Sequence, residues 1–212
     1  MAVPQSLTDV VHLSLLEREE PERVVQIWNE YHSTAKGSDG ADSGVAPNAL
    51  GRTLDKAQAA GVLRRAAECP IFVLPVWRQD GYMVMLSQFA DAAYNFVYLE
   101  DFKTQPHAAE PYMAARMYRE LVAAKGVVLV RAHVDGTRLH RSEAEQLLDS
   151  TLRVYSDDAL FEFVETFNKR PADFDFEAFV QRAKEEGVGA NSTDVEDGDG
   201  AGGGSTGDSP NN

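Results

Sequence analysis

His133, Asp135, His140 and Glu143 fall close together in the chain and are residue types that could hold a zinc ion through imidazole nitrogen and carboxylate oxygen. They straddle a strand end and the turn after it, and spacing alone does not make them converge, so they read as surface histidines and a helix cap. Ser142, with His140 and Asp149 nearby, has the residue types of an acyl-transfer triad. Closeness in sequence is not triad geometry, and the Ser142 hydroxyl is better used opening a helix. Cys69 could be a nucleophile, but it stands before Pro70 and an apolar run, where a thiol is a small, inert hydrophobe. Gly202-Gly203-Gly204-Ser205 lacks the lysine and the strand-to-helix setting of a phosphate loop and reads as linker. Asn191-Ser192-Thr193 matches a glycosylation acceptor that has meaning only in a secreted protein. None of these groups predicts a catalytic, cofactor-binding or metal site.

The elements that must position such residues follow from periodicity. Pro21 opens a helix with Val24, Ile27, Trp28 and Tyr31 along one face. Residues 36–48, rich in Gly, Ser, Asp and Ala, predict an internal loop. From Ala49 the run through Leu54, Ala57, Ala60, Leu63, Arg64 and Ala67 predicts helix, weakened at Gly51 and Gly61 and stopped before Pro70. Ile71 to Leu74, the turn at 78–81 and Tyr82 to Phe89 predict a hairpin, and Pro75, unable to donate to a ladder, places its strand at an edge or a bulge. Tyr94 to Leu99 and Val127 to Val134 predict further strands, while Tyr112 to Tyr118 fits strand or helix. Ser142 and Glu145 have capping-box spacing ahead of a helix to about Tyr155, and Asp157 caps the next, which carries Leu160, Phe161, Val164 and Phe167 and ends before Pro171. A last helix spans Phe176 to Glu186. Helices, then consecutive strands, then helices is the pattern of a single α+β domain, a largely antiparallel sheet flanked by helices. It is expected over residues 1–187, with a disordered acidic, Gly-rich tail over 188–212.

Composition narrows the partners. The formal charge is −14 over 212 residues, which repels phosphate backbones and argues against nucleic acid. With one cysteine an intramolecular disulfide is impossible, which gives no support to secretion. There is no apolar run of membrane-spanning length, so no membrane insertion is expected. Met1 to Pro4 leads quickly into Asp9, Glu17, Glu19 and Glu20, unlike an Arg-rich, acid-poor mitochondrial presequence, so a mitochondrial location implies a processed form.

Several blocks in order carry a resemblance. They are Leu7-Thr8-Asp9-Val10-Val11, Ile27-Trp28-Asn29-Glu30-Tyr31-His32, and Ala66-Ala67-Glu68-Cys69-Pro70-Ile71-Phe72 with Gly81-Tyr82 and Ser87-Gln88-Phe89. Tyr118-Arg119-Glu120-Leu121, Lys125 to Arg131, Glu143-Ala144-Glu145-Gln146, Tyr155 and Phe167-Asn168-Lys169-Arg170-Pro171 follow. Over roughly Leu7 to Glu186 the chain resembles the assembly-chaperone family of the mitochondrial F1 ATP synthase head. The resemblance also favours strand for Tyr112 to Tyr118. It implies a non-enzymatic protein of the mitochondrial matrix that holds the unassembled β subunit soluble until the α subunit takes its place, acting as a monomer with no cofactor. A general protein-interaction adaptor with another client is the first alternative and a small hydrolase-like enzyme the second. A deep pocket lined by strongly shifted ionisable groups would favour the enzyme.

A chaperone needs a surface, and aromatic side chains dominate contact energetics at interfaces. Phe161 and Phe167 share a helix face with Leu160 and Val164, which predicts core packing for them. Phe163 lies off that face and, with Phe174, is a candidate contact. Asn168 and Arg170 sit at the helix's negative end before the Pro171 stop, where polar and basic residues are favourable in any case. Arginine is also enriched at interfaces, so Phe163, Asn168, Arg170 and Phe174 form the candidate partner-binding set.

Overall fold

A computed structural model describes residues 6–33, 48–79 and 81–188. The sheet has six strands: β1 (Ala49–Asp55), β2 (Ile71–Arg78), β3 (Gly81–Ala90), β4 (Ala93–Tyr98), β5 (Met113–Tyr118) and β6 (Val127–Val134). Their order is β1-β6-β5-β4-β3-β2 and each neighbouring pair is antiparallel. The helices are α1 (Leu13–Leu16), α2 (Pro21–Ser33), α3 (Lys56–Glu68), α4 (Leu99–Thr104), α5 (Val122–Lys125), α6 (Arg141–Ser156), α7 (Asp158–Lys169) and α8 (Phe176–Glu185). This is the single α+β domain with an antiparallel sheet that the element order predicts.

Alternation along the strands sends side chains to two faces. Leu74, Met85, Phe96, Met117 and Val130 build one face, and α3, α6, α7 and α8 bury it with Ala59, Leu147, Leu160 and Phe179. Tyr118, Val127 and Leu129 point to the opposite face, where the N-terminal segment and α2 cover them with Leu7, Leu16, Val24 and Trp28. The hairpin pairs Ile71 with Gln88 and Arg78 with Gly81, and β2 is an edge strand, the position Pro75 requires. Met113–Tyr118 is a strand, resolving the ambiguous segment: Met113, Ala115 and Met117 are all buried on the helix-covered face.

Two sequence expectations are corrected. The run from Ala49 is not one helix: Ala49 to Asp55 forms β1, paired to β6 along its whole length, and helix begins only at Lys56. Ala and Leu favour helix, but seven cross-strand partners and burial of Ala49, Leu50 and Gly51 outweigh a weak local preference. The boundary is visible in Asp55 and Gln58, a capping box in which Asp55 Oδ1 accepts from Gln58 N at 2.8 Å and Gln58 Oε1 accepts from Asp55 N at 3.2 Å. The box on α6 is likewise displaced. Glu143, not Glu145, reaches back, accepting from His140 N at 2.8 Å, and Glu145 accepts from Arg141 Nε at 3.1 Å.

Asp157 caps α7 as its type suggests, accepting from Leu160 N at 3.0 Å. The body extends one residue past 187. Gly187 adopts φ +65°, its N–H donates to Lys184 O, and the Val188 N–H reaches back to Ala183 O at 2.7 Å, so Val188 is buried against the core. Residues 189–212 of the expected tail and 34–47 of the expected internal loop lie outside the described residues.

Candidate functional site

Side chains cap part of both sheet edges. On β2 the outward groups belong to Ile71, Val73, Pro75 and Trp77, since Phe72 and its alternates bond to β3. Asn168 acts as a substitute strand: its Oδ1 accepts from Ile71 N at 3.2 Å and its Nδ2 donates to Ile71 O at 2.6 Å. Trp77 N donates to Gln146 Oε1 at 2.8 Å, and Pro75 has no N–H to offer. On β1, Arg141 donates to Ala49 O at 3.2 Å and Arg52 to Gly51 O at 2.8 Å. Plugged edges of this kind suppress edge-to-edge pairing.

The candidate partner-binding residues converge on the β2 end of the sheet. Phe72, fully buried, is the hub, with ring centroids 5.7 Å from Phe167, 5.9 Å from Phe174 and 4.8 Å from Phe179 in edge-to-face contacts. Phe174 lies 5.0 Å from Phe167, and Phe163 lies 5.6 Å from Phe179. Phe163, Phe167 and Phe174 are all half-buried, so Phe167 is less enclosed than its helix face predicts, whereas Leu160 and Val164 are fully buried. The signal is that α7 lies at the sheet's edge, beside β2, where one side of the helix meets solvent. Asn168 spends its amide on Ile71 and on Val164 O at 2.8 Å. Arg170 is exposed, its Nη2 donating to Thr166 Oγ1 at 3.4 Å. Ile71, 40% exposed, stands beside Asn168; no motif marks it, because its exposure follows from its place at the start of an edge strand.

A cleft of about 1370 Å³ opens between the β2–β3 hairpin, the 136–140 loop and α8, lined among others by Trp77, Tyr82, Tyr98, Arg138, His140 and Lys184. Lys184 Nζ sits 4.6 Å from the Trp77 ring centroid, and Arg78 Nε donates to Glu143 at 2.6 Å. Tyr82 is held above its ordinary range by burial and by Glu177. The more strongly shifted groups lie elsewhere. Burial raises Tyr94 and Tyr155, raises Tyr118 to about 12, and lowers His32 to about 4 against the opposing effect of its bond to Trp28 O. These are buried residues outside the lining of the cleft.

The grouping of His133, Asp135, His140 and Glu143 does not form. Asp135 accepts from Thr137 N and Oγ1, Glu143 binds Arg78 and His140 N, and among the described residues no cluster of three or more His, Cys, Asp or Glu is placed to hold a metal. Cys69 is buried, with its thiol pushed up by burial, and its carbonyl accepts from Tyr155 Oη at 2.8 Å. Among the described residues no helix is long and apolar enough to cross a membrane.

Such a molecule is a single α+β domain with a cluster of half-buried aromatic rings beside one edge strand. The chain is a member of the ATP11 protein family, whose model matches residues 2–180. It is 27% identical over 188 residues to ATP synthase mitochondrial F1 complex assembly factor 1 of Mus musculus, an alignment covering 88% of this chain and 54% of the relative. The Homo sapiens protein of the same name is 25% identical over 188 residues, with the same coverage of 88% and 54%. That of Danio rerio is 24% identical over 187 residues, covering 87% and 58%. The chain spans about half the length of the relatives it matches.

Proposed function

We propose that this chain is a non-catalytic assembly chaperone for the F1 head of ATP synthase in the mitochondrial matrix. In this reading it binds the unassembled β subunit as a monomer, keeps it from aggregating and yields it to the α subunit. The observation that carries the reading is the family match, which runs through nearly the whole described body, together with relatives named as F1 complex assembly factors. Subunit interfaces that are buried in an assembly are apolar when exposed and need a cover until their partner arrives.

The contact surface in this reading is the β2 end of the sheet: the rims of Phe163 and Phe174, exposed Ile71, and the Arg170 guanidinium, with Asn168 holding Ile71 in place. Half-buried aromatic rings fixed by neighbouring rings lose little side-chain freedom on binding, and a nearby arginine can pair with an acidic edge of the client.

The test is light scattering of denatured β subunit diluted into buffer with and without the protein, followed by α subunit. Suppression without ATP, reversed by α, is expected, and the double variant Phe174→Ser with Arg170→Glu should suppress far less while keeping its helical signal. Scattering unchanged by the protein, or a complex undiminished by excess α, overturns the mechanism.

A further inference from the structure

The face of the sheet beneath α2 carries an unusual charge arrangement. Arg116 on β5 and Arg131 on β6 are directly opposite one another in the register, and both point to the face bearing Tyr118 and Leu129. Like charges placed opposite on adjacent strands repel. Arg131 is 6% exposed, yet among the described residues it has no hydrogen bond or ion pair, and its Nε is buried without a partner. Arginine is almost never enclosed to this degree unless paired, because an uncompensated charge is poorly solvated there.

Its neighbours deepen the imbalance. Arg116 Nε is also buried and unpartnered, and the Arg116 contact found is Nη1 donating to the neutral carbonyl of Asp91 at 2.9 Å. His133, two residues along the same face of β6, has Nδ1 buried without a partner. Across the other side of Arg131 the paired residue is Gly51, over which lies the His32 ring with Nε2 likewise unpartnered. The arginines nearby are already satisfied: Arg52 forks onto Asp149 at 2.6 and 2.8 Å, and Arg141 binds Glu145. The two guanidinium groups of Arg131 on β6 and Arg116 on β5 therefore lie side by side with no carboxylate bound to them among the described residues, in a chain whose overall charge is −14.

We propose that Arg116 and Arg131, flanked by His133, form an oxyanion-binding site on the sheet face beneath α2. Two guanidinium groups on neighbouring strands offer planar forks that suit a phosphate or a carboxylate, and a bound oxyanion turns their mutual repulsion into shared attraction. The shared chemistry is a compact, doubly accepting oxyanion, either free phosphate or a carboxylate presented by another molecule. The site stands apart from the Phe163–Phe174 edge and does not depend on the assembly role.

The experiment is thermal unfolding of the full chain titrated with inorganic phosphate in one arm and with glutarate, a side-chain carboxylate mimic, in the other, each against sodium chloride at matched ionic strength to remove general screening. The midpoint should rise with at least one anion above the chloride control, and Arg131→Gln and Arg116→Gln should each weaken the apparent affinity ten-fold or more. Arg116 is half-buried, so its variant tests the site even where Arg131→Gln folds poorly. A rise in the phosphate arm alone assigns a free anion, and a rise with glutarate assigns a carboxylate. No rise above chloride in either arm, or an equal rise in wild type and both variants, overturns the proposal.

Discussion

Gly51 lies against His32 so closely that a Cβ on Gly51 would sit 2.5 Å from His32 Nδ1 and 2.9 Å from Trp28 Nε1. The absent side chain lets α2 settle onto β1 and β6, where Trp28 Nε1 donates to Val130 O at 3.3 Å and His32 Nδ1 donates to Trp28 O at 2.8 Å. Gly51→Ala should push the helix off the sheet and destabilise by about 1–3 kcal/mol, as overpacking of a filled interior does. Urea unfolding monitored by Trp28 fluorescence measures this, and an unchanged midpoint would contradict the packing.

His32 also makes stability depend on pH. Burial first, then Arg131, Arg141 and Arg52, hold its folded pKa at about 4, below the ordinary histidine value of 6.5. The unfolded chain therefore binds a proton that the folded one refuses between those values, so stability falls as pH drops from 6.5 toward 4. For a side chain 3% exposed the loss reaches about 3 kcal/mol at most. Denaturation at pH 7.5 and pH 5 should show a smaller difference for His32→Gln than for wild type.

Phe72, and not Phe167, is the aromatic whose removal opens the core. Phe72→Ala should cost about 3–5 kcal/mol, the range for a fully buried ring, and Phe167→Ala, half-buried, clearly less. Equal losses in chemical denaturation would contradict the placement of α7.

Asn168→Ala removes both bonds to Ile71 and uncovers the start of the edge strand. The expected result is a loss of about 1–2 kcal/mol together with concentration-dependent association, read by sedimentation. Arg170→Ala should leave stability unchanged, so any effect of that substitution on β-subunit capture reports contact rather than folding.

The β3–β4 hairpin turns through Asp91 at φ +49° and Ala92 at φ +58°, a backbone that alanine adopts at a cost. Ala92→Gly should raise stability by roughly 0.5–1 kcal/mol, from left-handed strain relieved less the lost Cβ contact. Thermal unfolding decides it: a lower midpoint would mean that the Ala92 contact outweighs the strain.

Local rules set much of the architecture. Pro75 placed β2 at an edge because a residue without an N–H cannot sit between two strands, Gly126 at φ +68° ended the turn before β6, and Asp157 capped α7 because its carboxylate meets free N–H groups at a helix start. The ordered blocks from Leu7 to Pro171 carried the family. What local sequence could not carry was anything owed to pairing over long separations. Ala49–Asp55 reads as helix until β6, more than seventy residues later, offers it a ladder. Asn168 reads as a helix-end residue until the fold brings Ile71 within reach, and nothing in the local sequence links Arg116 to Arg131, which register sets side by side. Short-range preferences amount to tenths of a kcal/mol per residue, roughly, so cross-strand bonds and burial override them, and only the closed chain determines which distant groups share a face.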